Sequence, residues 1–89
     1  SRNETRFDLN IDGDICYGAH LQLRKEFRGR GLGQRLYEIT ENIARDLGCE
    51  EMIRDASGLT PRGELRGDYL KRRLSYKDFG GICTVSKDL

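Results

Sequence analysis

The residues of this chain whose types and spacing could do chemistry lie in Arg28-Gly29-Arg30-Gly31-Leu32-Gly33. Glycine lets the backbone approach an anion closely and adopt positive φ. A helix beginning there leaves its first backbone N–H groups unpaired and pointing outward. The helix dipole adds positive potential, about 0.3–1 kcal/mol per interaction at an exposed site. Such a loop holds phosphate or pyrophosphate through its main chain, and Arg28 and Arg30 add charge. Two common phosphate loops are excluded. No Gly-Lys-Ser/Thr is present, and the G-x-G-x-x-G fingerprint fails at its last glycine and has no acidic strand end at the right distance.

The flanking elements must present this loop. Phe7, Leu9 and Ile11 alternate with polar residues, the period of a strand. Asp12-Gly13-Asp14 then reads as a hairpin turn. Residues 15–23 form a second strand, with Tyr17, Ala19, Leu21 and Leu23 on one face and Cys16, His20 and Gln22 on the other. After the loop, Leu32, Leu36, Ile39, Ile43, Ala44 and Leu47 recur every three or four residues, predicting a helix over 32–47 that Gly48 stops. A short strand over 50–54 and a loop over 56–67 around Pro61 follow. A second helix is expected over 64–74. Gly80-Gly81 then turns the chain into a final strand over 82–87. The order β-β-loop-α-β-α-β is a mixed α/β domain on one sheet.

With 89 residues the chain is one domain, 1–89, with polar residues 1–5 expected to fray. So short a domain buries a thin core, and pairing into a homodimer would relieve it. A formal net charge of +1 gives no global field to draw in nucleic acid or membrane. The cations cluster instead: Arg24, Lys25, Arg28, Arg30 and Arg35 stand against the single acid Glu26, which suits a small anionic ligand. A second basic run, Lys71-Arg72-Arg73, has no aromatic stacking platform between its residues, so nucleic-acid binding is not expected. Cys16, Cys49 and Cys83 are odd in number, far apart and outside any CxxC pair. They are read as small buried residues of a cytoplasmic, reducing environment, with no metal site. No apolar run approaches a membrane span, and no secretory leader is expected.

The stretch from His20 to Leu47 resembles the coenzyme A motif of the GNAT N-acetyltransferase superfamily. It has a strand (Leu21-Gln22-Leu23), a short link (Arg24-Lys25-Glu26-Phe27), then Arg28-x-x-Gly31-x-Gly33 and an amphipathic helix. The closing Val85-Ser86-Lys87-Asp88-Leu89 is similar to the last strand of many members. The resemblance implies a reduced GNAT-like fold: a single, mostly antiparallel mixed sheet with two helices. It implies acetyl-CoA as acetyl donor, its pyrophosphate gripped by the backbone of Arg28, Gly29, Arg30, Gly31, Leu32, Gly33 and Gln34. The pantetheine arm would lie along Leu21, Gln22 and Leu23, in a gap where the sheet splays. A backbone N–H at or near Leu23 would hold the thioester oxygen.

Members often use a tyrosine acid in Tyr-x-x-x-Gly-Phe. Leu74-Ser75-Tyr76 occupies the place of that ending, so Lys71 falls on the tyrosine position, and Tyr69 is two residues away. Ser57 falls where many members carry an asparagine. Tyr69, Tyr17 and His20 are the candidates for proton transfer, His20 having the pKa suited to a base near neutrality. Two of them also have a structural reading, Tyr69 as a half-packed helix residue and His20 as a partly exposed strand residue. Asp8, Asp12 and Asp14 read as solvated. Only about twenty residues precede the loop region, so the acceptor side is expected to be open or closed by a second subunit. That suits an amine on a protein or peptide. The alternative is a module that binds coenzyme A or a partner without turnover.

Overall fold

A computed structural model of the chain describes residues 6–22, 31–81 and 83–89. Its strands are β1 (Arg6–Asp12), β2 (Ile15–Gln22), β3 (Glu51–Asp55), β4 (Lys77–Asp78) and β5 (Thr84–Asp88). Its helices are α1 (Leu32–Asp46) and α2 (Arg66–Leu74). They form one mixed sheet in the order β1-β2-β3-β5-β4, in which only β2 and β3 are parallel. This is the α+β architecture the sequence predicts, with element ends shifted by one or two residues.

The hairpin turns at Gly13, whose φ of 63° is the left-handed value a two-residue loop with glycine first requires. β1 and β2 keep one register as far as Asp8↔His20 and shift at Leu9↔Gly18, so Ala19 is an extra, bulged residue in β2. β2 meets β3 over four pairs, from Ile15↔Glu51 to Gly18↔Arg54, and the ladder ends there. β3 continues to Asp55, paired with Thr84 of β5. The sheet therefore divides just beyond Gly18.

Both helices cover the same face. Their shared core is Cys16, Ala44, Cys49, Met52, Leu70, Leu74, Tyr76 and Val85. α2 starts later than expected because 59–65 closes on itself: Leu59 bridges Leu65, and the Thr60 N–H donates to the Glu64 carbonyl at 2.7 Å. β4 was not legible, since Lys-Asp has no apolar alternation; it is held by pairing with Ser86 and Val85. α2 is capped by Ser75 at φ 64°, the left-handed conformation that glycine adopts most readily at a helix C-terminus.

Two expectations about the core are corrected. The α1 stripe turned furthest into the protein is Thr40, Glu41 and Ala44, with Tyr37 partly buried. Leu32, Ile39 and Leu47 of the apolar set are exposed. The reason is a buried arginine on β3, described below, which draws the polar side of the helix inward. Cys83 is exposed, on the turn before β5, whereas Cys16 and Cys49 are buried as expected. Burial, followed by the neighbouring Cys49, pushes the Cys16 thiol up and keeps it protonated. A thiol reagent should therefore label Cys83 rapidly in the native protein, and Cys16 and Cys49 only after denaturant is added, as counted by mass spectrometry.

Gly18 shows what the tight packing under β2 permits. A Cβ there would lie 2.7 Å from Nη1 of Arg54. A flexible arginine could retreat, but this one is pinned by hydrogen bonds to Tyr76 and Thr40. Gly18→Ala should cost about 1–3 kcal/mol, as overpacking does. Gly67→Ala, whose Cβ would meet Ala56 at an ordinary 3.6 Å, should cost nothing. Urea unfolding of the two variants checks both.

Candidate active site

In a β-α-β unit with parallel strands the helix runs back against them, so the α1 N-terminus lies at the C-terminal ends of β2 and β3. That end begins at Gly31 with φ 74°, without a side-chain cap and with no acid in the first turn. The N–H groups of the first turn are thus left for a ligand, and the dipole there is not offset. The dividing sheet adds the edge of β2 beyond Gly18, which pairs with β1 but not with β3. An uncapped helix start and a strand edge not paired with β3 thus stand at one end of the sheet, an arrangement whose backbone donors and acceptors suit an extended, anionic molecule.

Of the predicted coenzyme residues, Gly31, Leu32, Gly33 and Gln34 stand at this helix start. Leu23, Arg28, Gly29 and Arg30 lie outside the described residues. Leu21 and Gln22 are at the end of β2, opposite Phe7 and Arg6. His20 is paired with Asp8 on the backbone, beside the bulge. The two tyrosine candidates do not converge. Tyr69 packs between the helices, its ring 6.2 Å from that of Tyr37. Burial, then Tyr37, raises its pKa, so it holds its proton. Tyr17 is flanked by Cys16 and Gly18, which face the helices, and so it projects from the opposite face of the sheet. Lys71 sits on the outside of α2, its Nζ 3.2 Å from Asp78.

The sequence reading missed a buried polar network beneath the point where the sheet divides. Arg54, 4% exposed, projects from β3 toward α1. Its Nε donates to Tyr76 Oη at 2.7 Å, and its Nη2 to Thr40 Oγ1 at 2.5 Å and the Tyr37 carbonyl at 3.3 Å. Tyr76 donates to Glu41 Oε2 at 2.6 Å, and Lys87 Nζ donates to Glu41 Oε1 at 2.9 Å. The guanidinium also lies 4.8 Å from the centre of the Tyr37 ring. Burial raises the Tyr76 phenol far above its ordinary pKa despite the pull of Arg54, so it is a permanent donor to Glu41. The one available signal was an arginine directly after the apolar pair Met52-Ile53, on the same strand face as Met52.

On the other face, Tyr17, Gly18, Ile53, Arg54, Asp55, Phe79, Gly80, Gly81, Cys83 and Thr84 line an open groove of about 580 Å³. It lies at the same end of β2 and β3 as the helix start, but across the sheet from α1. Among the described residues no three His, Cys, Asp or Glu side chains gather as metal ligands, and no helix is long and apolar enough to cross a membrane.

The sequence pattern of the Acetyltransferase (GNAT) family matches residues 3–58. The chain belongs to this family. No curated protein matches it by sequence. Its fold is similar to that of a putative acetyltransferase from Agrobacterium tumefaciens, at 18% identity and a TM-score of 0.72, over 93% of this chain and 63% of that one. It is likewise similar to the PaiA N-acetyltransferase of Thermoplasma acidophilum in complex with coenzyme A, at 19% identity and a TM-score of 0.67, over 93% of this chain and 52% of that one. A mutant AtaT toxin bound to the antitoxin AtaR C-terminus and acetyl-CoA aligns at 13% identity and a TM-score of 0.63, over 93% of this chain and 56% of that one. The chain thus spans less than two thirds of the length of each of these GNAT-fold proteins.

In this GNAT domain the Tyr76 hydroxyl links Arg54 to Glu41. Tyr76→Phe leaves Arg54 Nε and Glu41 Oε2 buried without that partner, at about 1–3 kcal/mol. The variant should fold with a urea midpoint lowered accordingly; an unchanged midpoint would show that the hydroxyl does not hold the network.

Proposed function

We propose that this domain binds acetyl-CoA and transfers the acetyl group to an amine. The observation that carries the reading is the uncapped start of α1 at Gly31, at the end of the sheet where β2 and β3 part. Backbone N–H groups from Gly31 to Gln34 would take the pyrophosphate, with Arg28, Gly29 and Arg30 of the preceding segment. The pantetheine arm would follow β2 at Leu21, Gln22 and Leu23. The amine nitrogen attacks the thioester carbonyl, the C–S bond breaks, and the proton lost by the amine balances the thiolate that leaves. A backbone N–H of β2 facing the carbonyl would stabilise the oxyanion. The groove bounded by Tyr17, Ile53 and Phe79 is open to solvent, which favours an acceptor amine carried on a protein or peptide. Free thiols at Cys16, Cys49 and Cys83 fit a reducing cytoplasm.

One observation favours a second reading, coenzyme binding without turnover. Lys71, which the resemblance puts at the position of the family's tyrosine acid, is engaged with Asp78 on the surface. Tyr69 would serve as the acid only if the ligand reaches between α1 and α2.

Isothermal titration with acetyl-CoA, beside ATP as a phosphate control, tests the shared part of both readings. Micromolar binding, much tighter than that of ATP, is expected. Gly31→Asp should abolish it, because the new carboxylate would face the phosphates and a non-glycine residue at φ 74° is strained. Unchanged affinity in that variant, with the circular dichroism spectrum intact, would overturn the assignment. Binding with no acetyl transfer to any peptide amine would decide for the second reading.

A further inference from the structure

The groove across the sheet from α1 has a composition that the acetyl donor does not explain. Its walls include two large rings left wet: Tyr17 is 40% and Phe79 43% exposed. Between them Ile53 provides an apolar floor. Asp55, the last residue of β3, brings one carboxylate to the lining. The other charged residue there is Arg54, whose guanidinium is committed on the helix face to Tyr76 and Thr40. The acid in the groove is thus not paired with it.

Asp55 is also fixed in place. Its Oδ1 accepts from the Ser57 N–H at 2.9 Å, and its Oδ2 from Ser57 Oγ at 3.1 Å. A carboxylate accepts about four hydrogen bonds, so each oxygen keeps a lone pair for a further donor. Gly80 and Gly81, with no side chains, leave the rim beside Phe79 low. A rigid acceptor beside an apolar floor and two aromatic faces matches one kind of ligand: a cationic head on an aliphatic stem. The stem packs on Ile53 and the rings, and the head reaches the carboxylate and the negative faces of the rings.

The geometry points to Asp55 as the residue that selects a charged primary amine, the ammonium of a lysine side chain, as the acceptor. The inference rests on the acetyl-transfer reading for what happens to that amine, but not for its recognition. Asp55 anchors the ammonium on arrival, Tyr17 and Phe79 flank it, and the acceptor enters on the face opposite α1. A neutral side chain of the same shape gains only the apolar part of the contact.

The test is a binding measurement on the chain without coenzyme. A short end-blocked peptide with one lysine is titrated against the same peptide with norleucine. The native protein should bind the lysine peptide about tenfold tighter or more, the difference expected for a hydrogen bond to a charged group. Asp55→Asn keeps an acceptor for the Ser57 N–H, so the loop is retained. It should bring the lysine peptide down to the norleucine level and leave the norleucine peptide unchanged. Phe79→Leu, which keeps apolar area but removes the ring, should weaken the lysine peptide more than the norleucine peptide. Equal affinity of the native protein for the two peptides, or an equal loss of both in Asp55→Asn, would overturn the proposal. Titration of each variant with acetyl-CoA is the separate check: its failure in the native protein would sink the coenzyme reading and leave the lysine preference standing or falling on the peptides.

Discussion

A single buried guanidinium governs how this small domain is assembled. Arg54 lies in the middle strand of the sheet, where an apolar side chain would be the ordinary choice. Taking such a charge out of water is expensive, several kcal/mol even after relaxation, unless acceptors surround it. The fold supplies them from Thr40 and Tyr37 on α1 and from Tyr76 after α2, with Glu41 closing the circuit through the phenol and Lys87. Each constraint then propagates. α1 must turn a polar stripe inward. β2 must carry glycine at position 18 to clear Nη1. The chain after α2 must return under the sheet to bring Tyr76 into reach.

Much of this was readable from residues and much was not. The hairpin, the first helix and the order of strand and helix follow from alternation of period two, from Gly13 and from the spacing of Leu36, Ile43 and Ala44. These are local signals, and local signals survive folding. The start of α1 at Gly31 was legible for the same reason, since the helix pattern is one continuous segment. The polar network was hidden because its members come from positions 37, 40, 41, 54, 76 and 87, and nothing in their spacing announces that they meet. The helix face was misjudged on the same account: an apolar count favours Leu32, Ile39 and Leu47, whereas Arg54 selects Thr40 and Glu41. The strand β4 was missed because Lys77 and Asp78 are ordered by their partner and not by their own pattern.

The sheet also separates two chemistries. On one face, helices and an ionic network make a closed layer around the core. On the other, Tyr17, Ile53, Phe79 and Asp55 remain in contact with solvent at the same end of the strands. A molecule threaded between β2 and β3 would be reached from both. The bulge at Ala19 and the end of the ladder at Gly18↔Arg54 come within one residue of each other, so the change in strand direction and the gap share a location.

That short ladder has a mechanical meaning. The β1–β2 hairpin joins the sheet through four residue pairs, while β3, β5 and β4 form a second block tied to it by that seam and by α1. Under tension the load would fall on this four-pair seam, since the β1–β2 and β3–β5 ladders are longer, at seven and five pairs. A molecule lying along the edge of β2 beyond Gly18 would bear on that seam first.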